Sequence, residues 1–365
     1  MKDLPKTISE YETEALRKMP LKVADYVRKA AGSGKTNENN ISAFDKYCIV
    51  PSVLRNLGEV DTTISAIGKK IQTPIMISPI AWQELYSPDK ESTSVNAAQQ
   101  FGTNIVISSF STQGFEEIKK NCGNLSNVWY QTLCHKDFRI TERYISKAKE
   151  AGVSAIVLLV DAPSGCTMCS KKKSPITGGS RIFPEVNSTR LPLLPMNEGD
   201  SFNSLDHYYT ENLDSSKLSW DNIANLVNIA GIPVFLKGIL NAGDAYKASK
   251  IGAKGIIISN HGGRQLDKAI PTLLALQNIR KNKDYGDMQI YLDGGLRSGQ
   301  DVFIALALGA DGVFIGRSFI YGLVVGGKEG IVSVLDIINR ELAHTMQQAG
   351  CSKIKDITNN NVQVI

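Results

Sequence analysis

Eight short apolar runs recur along the chain, each followed by a polar or glycine-containing turn and then a helical pattern. They are Thr73–Ser78, Asn104–Ser108, Asn127–Gln131, Ala155–Val160, Pro233–Lys237, Gly255–Ser259, Gln289–Leu292 and Gly312–Ile315. Helical patterns lie between them, among them Glu91–Phe101, Thr141–Ala151, Asp221–Ala230, Ala242–Ile251, Pro271–Lys281 and Gly299–Leu308. Several meet a glycine at their ends, at Gly102, Gly152, Gly231, Gly252 and Gly309, which suits a left-handed C-terminal cap. Eight strand–helix units in succession predict a closed parallel barrel, the α/β (β/α)8 TIM architecture, in preference to an open doubly wound sheet.

The 365 residues suit one such barrel with additions. Residues 1–70 are expected to form an N-terminal helical cap with a connecting segment. Residues 162–218, between strand four and its helix, are too many for an ordinary βα loop. This stretch is rich in Pro, Gly, Ser and Asn and is expected to form a partly ordered lid. No linker divides the chain into separate domains.

Composition excludes several classes. With 42% hydrophobic and 21% charged residues and a net charge of +5, the chain reads as a soluble enzyme. The densest basic cluster, Lys171–Lys173, reads as a solvated loop and not as a nucleic-acid site. The N-terminus lacks an apolar signal core, and the run Ala155–Val160 is far too short to span a bilayer. A cytoplasmic protein without nucleic-acid or membrane partners is expected. Six cysteines argue against a disulfide framework there, and Cys166-Thr167-Met168-Cys169 alone is a weak redox or zinc signal. No metal site is expected.

In a barrel of this type the active site lies at the C-terminal strand ends. Strand four ends in Asp161 and strand five in Lys237. Strand six delivers Ser259-Asn260-His261-Gly262-Gly263-Arg264-Gln265-Leu266-Asp267. Strand seven opens into Asp293-Gly294-Gly295-Leu296-Arg297, and strand eight into Gly316-Arg317. A base beside a fixed cation, as in His261 and Arg264, is what oxidation of an anionic alcohol requires. Glycines at 294, 295 and 316 admit main-chain N–H groups to an anion, and Arg297 and Arg317 add bidentate charge. Phosphate sites after strands seven and eight are a habit of this fold. There is no G-x-G-x-x-G after an early strand, so a nicotinamide site is not supported.

From Pro20 to Ile357 the chain resembles the FMN-dependent α-hydroxy acid oxidases and dehydrogenases, which include glycolate and lactate oxidases. The resemblance rests on Ser259–Asp267, Leu292–Arg297 and Ala305–Arg317, with Pro79-Ile80-Ala81 and Lys237-Gly238 as further landmarks. It implies FMN, with its phosphate held by Asp293, Gly294, Gly295, Arg297, Gly316 and Arg317. It places Pro79, Ile80, Ala81, Ser108, Gln131 and Ser259 around the flavin, and Lys237 against its N1 and O2 atoms. His261 would take a substrate proton, Asp161 would orient it, and Arg264 with Tyr26 would hold the substrate carboxylate. Oxygen or another acceptor would reoxidise the flavin, and a homotetramer is the family habit.

The sequence also departs from the family pattern. A tyrosine expected two residues after Gln131 is Leu133, and an arginine expected seven residues after Asp161 is Met168. An aromatic wall, often tryptophan, is Phe110, and a flavin-contacting threonine is Leu159. The cofactor residues and the base are therefore retained while the polar substrate grip has turned partly apolar. A 2-hydroxy acid other than glycolate or lactate is expected, with Arg181 or the Lys171 cluster as alternative carboxylate holders. Two alternatives stay open: redox-neutral chemistry in an FMN barrel, and a non-catalytic FMN-binding homologue. No C-x-x-C-H haem attachment is present.

Overall fold

The computed structural model of the chain describes residues 4–162, 191–196, 208, 212–213, 218–281 and 284–365. Three N-terminal helices, α1 (Ile8–Lys18), α2 (Leu21–Arg28) and α3 (Lys35–Ser42), lead into strand β1 (Tyr47–Ile49). A hairpin, β2 (Ile64–Ala66) and β3 (Lys69–Ile71), precedes the barrel.

The barrel strands are β4 (Ile75–Ile77), β5 (Ile105–Ser108), β6 (Val128–Leu133) and β7 (Ala155–Leu159). They continue as β8 (Val234–Ile239), β9 (Gly255–Ile258), β10 (Gln289–Asp293) and β11 (Gly312–Ile315). All pair in parallel, and β11 closes back onto β4. The predicted barrel is thus present, strand ends shifting by up to two residues. The helices are α4 (Lys90–Phe101), α5 (Phe115–Cys122), α6 (Phe138–Ala151), α7 (Trp220–Ala230) and α8 (Ala242–Lys250). After them come α9 (Thr272–Arg280), α10 (Gly299–Ala307) and α11 (Arg317–Gln348), and a last strand, β12 (Val362–Val364), pairs with β1.

Helix α11 has 32 residues and is apolar enough by composition to cross a membrane, but more than half of its apolar window is buried. It packs against α1, α4 and α10 as a core helix and kinks at Gly326–Gly327.

Side chains on a strand alternate between faces, so every second residue points into the barrel. One inward layer consists of Met76, Val106, Trp129, Val157, Phe235, Ile257, Tyr291 and Phe314, at most 1% exposed. Trp129 stacks on Phe235 with centroids 4.5 Å apart and meets Tyr291 and Phe314 edge-on. This apolar layer is a floor. Two residues further along each strand stand Ser78, Ser108, Gln131, Leu159, Lys237, Ser259, Asp293 and Gly316. The change from an apolar to a mainly polar layer marks where the core ends and the site begins.

Candidate active site

A cleft of ≈ 960 Å³, open mouth included, lies above this floor, within the usual range for small-molecule sites. Its lining includes Tyr26, Pro79, Ile80, Ala81, Gln131, Leu159, Lys237, His261 and Arg264. Asp293, Gly294, Gly295, Arg297, Gly316 and Arg317 line it too, whereas Ser108, Asp161 and Ser259, also read from the sequence, stand behind the lining. Val27, Ser78, Tyr86 and Ile320 also line it and were not foreseen. Tyr86 follows a short turn after strand β4, and no sequence pattern marks it; burial raises its phenol pKa.

Lys237 is 4% exposed. Its ammonium donates to Ser259 Oγ at 2.7 Å and pairs with Asp293 Oδ2 at 3.1 Å. The other Asp293 oxygen, Oδ1, is buried with no partner among the described residues, an acceptor available to a donor from a bound molecule. Ser259 Oγ also accepts from the backbone N–H of His261 at 3.0 Å. That bond supports an uncommon conformation, because His261 has φ +60. A non-glycine residue in the left-handed region costs free energy and is found most often at functional sites.

The His261 ring presents Nδ1 to both carboxylate oxygens of Asp161, each at 3.3 Å. Nε2 is left for the cleft. Burial works to raise the Asp161 pKa, but the opposing His261 charge and hydrogen bond, with Lys237 behind them, hold it below the ordinary aspartate value. Gly238 makes room for this pair. It has φ +114 at an irregularity in the β8–β9 register, and a Cβ there would lie 2.4 Å from Asp161 Cβ.

Ser108 donates to Gln131 Oε1 at 3.3 Å, which joins the second and third strands at the cleft wall. Arg264 lies 4.6 Å over the Tyr26 ring and donates from Nη1 to the Tyr26 and Lys29 carbonyls at 2.9 and 3.0 Å. Arg317 reaches the cleft, yet its N–H groups are turned to protein acceptors: Val27 O, Lys29 O, Gly262 O and Asn37 Oδ1. Burial, with Arg264 and Arg297 nearby, pulls its pKa down to about 10. Among the described residues neither Arg297 nor Arg317 forms an ion pair, although the Asp293 carboxylate stands in the same lining.

Two residues expected at the substrate sit deeper than the reading placed them. Phe110 is 8% and Leu133 2% exposed, and neither lines the cleft. Leu133 does pair in register with Leu159, which does. Met168, Arg181, Lys171–Lys173 and the Cys166/Cys169 pair lie outside the described residues.

Part of the strand-six motif is structural. Asn260 and Asn40 exchange amide hydrogen bonds at 2.8 Å in each direction. The Asp267 carboxylate accepts from Ser33 N and Oγ at 2.7 Å and from Thr36 N at 3.2 Å, and these bonds, the Ser33 hydroxyl first, lower its pKa to about 2. Gly295, with φ +87, lies so close to α3 that a Cβ would approach Asn40 O to 2.1 Å. The N-terminal cap is therefore fastened to the loops after strands six and seven.

Comparison with known proteins agrees with this arrangement. A family model described as FMN-dependent dehydrogenase matches residues 15–364. The chain belongs to this family. It is 35% identical to glycolate oxidase 5 of Oryza sativa subsp. japonica, over 97% of this chain and 95% of the relative. It is 33% identical to human 2-hydroxyacid oxidase 1, over 96% and 94%. Among solved structures, a mandelate oxidase superposes with a TM-score of 0.85 at 28% identity, covering 99% of both chains. The protein is thus an FMN-dependent enzyme of the 2-hydroxy acid oxidase family acting on a CH–OH group.

The residues present suit FMN. Asp293 Oδ1 is a buried acceptor without a partner among the described residues. A Cβ at Gly316 would meet nothing nearer than Ile80 at 3.7 Å, so the space beside it is open to a ligand.

Proposed function

We propose that the protein oxidises an L-2-hydroxy acid, with a side chain larger and more apolar than those of glycolate and lactate, to the 2-keto acid. The observation that carries this reading is the His261–Asp161 pair, with ring Nδ1 on the carboxylate and the ring facing the same cleft as Lys237 and Arg264. Asp161 keeps the Nδ1–H tautomer, so Nε2 is free to take a proton from the substrate, and the carboxylate stabilises the imidazolium that results. Bound FMN supplies the two-electron acceptor. Lys237 is a fixed cation where negative charge would gather as electrons leave the substrate. Arg264, held by Tyr26 and the end of α2, orients the substrate carboxylate. Arg297 and the main chain at Gly294, Gly295 and Gly316 would hold the phosphate, with Arg317 adding charge while bracing α2.

The substrate preference rests on Leu133 and Met168, where the family resemblance leads one to expect a tyrosine and an arginine. A lost charge-assisted contact removes about 1.5–3 kcal/mol, roughly ten- to a hundredfold in binding. Burying about 100 Å² of additional apolar surface returns roughly 2.5 kcal/mol. Glycolate offers no such surface, whereas an aromatic or branched 2-hydroxy acid does. The mandelate oxidase likeness points the same way.

Anaerobic mixing of the yellow holoenzyme with a panel of 2-hydroxy acids tests this. Bleaching at 450 nm is expected, fastest with phenyl-bearing or branched substrates, and admission of oxygen then shows whether oxygen serves as acceptor. Equal or faster bleaching by glycolate or L-lactate would refute the preference. No bleaching by any 2-hydroxy acid would refute the reaction.

A further inference from the structure

A second histidine stands behind the cleft. His135, two residues past the end of β6, is 2% exposed. Its Nδ1 accepts from the backbone N–H of Asp137 at 2.9 Å. A backbone N–H can only donate, so Nδ1 carries no proton and the ring is neutral with its proton on Nε2. Nε2 then donates to Asn212 Oδ1 at 3.2 Å. That fixes the Asn212 amide, whose Nδ2 donates to Tyr208 O at 3.1 Å, while Asn212 O accepts from Lys136 N at 2.8 Å.

Tyr208 is fully buried and donates its hydroxyl to Pro195 O at 3.0 Å. Its ring meets Phe110 edge-on at 6.4 Å. Phe110 lies 5.7 Å from Trp82, Trp82 lies 5.7 Å from Tyr26, and Tyr26 carries the Arg264 guanidinium on its face. A backbone bond from Trp82 N to Phe110 O, 2.9 Å, holds the middle of this row. One continuous aromatic row therefore runs from the His135–Asn212 contact to the arginine on the cleft.

We infer that His135 is a positioning residue for selectivity: through Asn212 it seats Tyr208 against Phe110, and the row behind Phe110 carries that placement through Trp82 to Tyr26, the member that lines the cleft a substrate's apolar side chain enters. Its bonding leaves the charged form no place. Protonation at Nδ1 would set two donors against each other at Asp137 N, and burial favours the neutral ring. The inference rests on the proposed 2-hydroxy acid site, but its test does not require turnover.

The probes are phenylacetate and acetate, carboxylates that cannot be oxidised at a CH–OH group, with binding to the holoenzyme read from the perturbed FMN absorbance. His135→Ala is expected to weaken phenylacetate five- to tenfold and acetate less than twofold. His135→Gln, which restores a donor near the Nε2 position, is expected to recover most of the loss. If His135→Ala does not fold, Asn212→Ala is expected to give the same selective loss. Independently, nitrogen-15 NMR of the four histidines is expected to show one that keeps the Nε2–H tautomer in the wild type. Equal weakening of both ligands, failure of glutamine to restore binding, a wild type blind to phenylacetate, or no Nε2–H histidine would overturn the inference. If the selective loss is found while no 2-hydroxy acid bleaches the flavin, the role of the row stands and the proposed reaction falls.

Discussion

Lys237 and Asp293 form a 3.1 Å ion pair at the base of the cleft, their side chains 5% and 9% exposed. They stand on strands β8 and β10, with Ser259, the residue after the intervening strand β9, bonded to the same ammonium at 2.7 Å. The cation expected to serve the flavin is thus also the counter-charge of a buried carboxylate. Replacing Lys237 by Met leaves that carboxylate uncompensated, which typically costs about 3–5 kcal/mol. Urea denaturation should register a loss of that size, and the purified variant should retain little FMN. Unchanged stability would mean that Asp293 is protonated or finds another partner.

Asp161→Asn keeps the shape of the His261 partner and removes its charge. Turnover is expected to fall by about a hundred- to ten-thousandfold, because the ring loses both its fixed tautomer and the carboxylate that stabilises imidazolium. The folded pKa of Asp161 lies below the ordinary value, so its stabilising effect is complete above about pH 4 and is lost as pH falls through the folded value. Between pH 5 and 8 it does not titrate. The stability advantage of wild type over Asp161→Asn should therefore shrink in acid, below about pH 4, as thermal melts across a buffer series would reveal.

Gly238→Ala tests the space beside that pair. The new Cβ would fall 2.4 Å from Asp161 Cβ at a backbone angle of φ +114, and left-handed strain alone costs about 1–3 kcal/mol. The expected result is a lowered Tm with a turnover loss larger than the loss of FMN binding, since the loops proposed to hold the phosphate follow other strands. A variant with normal turnover would show that the His261–Asp161 contact tolerates displacement.

Asn40→Ala removes one member of a reciprocal amide pair whose residues are 1% and 3% exposed. Asn260 keeps its bonds to Ile270 O and Gly263 N, but the reciprocal pair is lost and Thr272 N loses its acceptor, which should cost about 1–3 kcal/mol. The weakness should appear first as faster hydrogen exchange in α3 and in the loop after β9, before any change in the barrel strands.

The barrel was legible because fully buried strands read as unbroken apolar runs, and Gly255–Ile258 and Gly312–Ile315 show this most clearly. Strand ends were legible to within two residues, enough to place Asp161, Lys237, His261 and Arg264 on one rim. Other features depend on stagger and depth, which sequence periodicity does not contain. The Lys237–Asp293 pair requires knowing which inward residues share a level. Phe110 and Leu133 lie on the expected strand ends but beneath the cleft surface. Asn260 and Asp267 looked like neighbours of the catalytic base, yet they hold Asn40, Ser33 and Thr36, more than two hundred residues away. The β1–β12 pairing joins two three-residue strands near opposite ends of the chain, too short to carry a recognisable pattern.

The fastening of α3 by Asn260 and Asp267 has a consequence for how the molecule is made. The bonds span 220 and 234 residues, and contacts that distant close late, after their loop-closure entropy is offset by other contacts. Residues 33–40 are made well before the residues at 260–267 that fasten them. Until strand six and its loop have been synthesised, the cap has no anchor. The mouth of the cleft is consequently finished by a segment made long before the loop that holds it, and a nascent chain released before that loop would carry three helices with nothing to close.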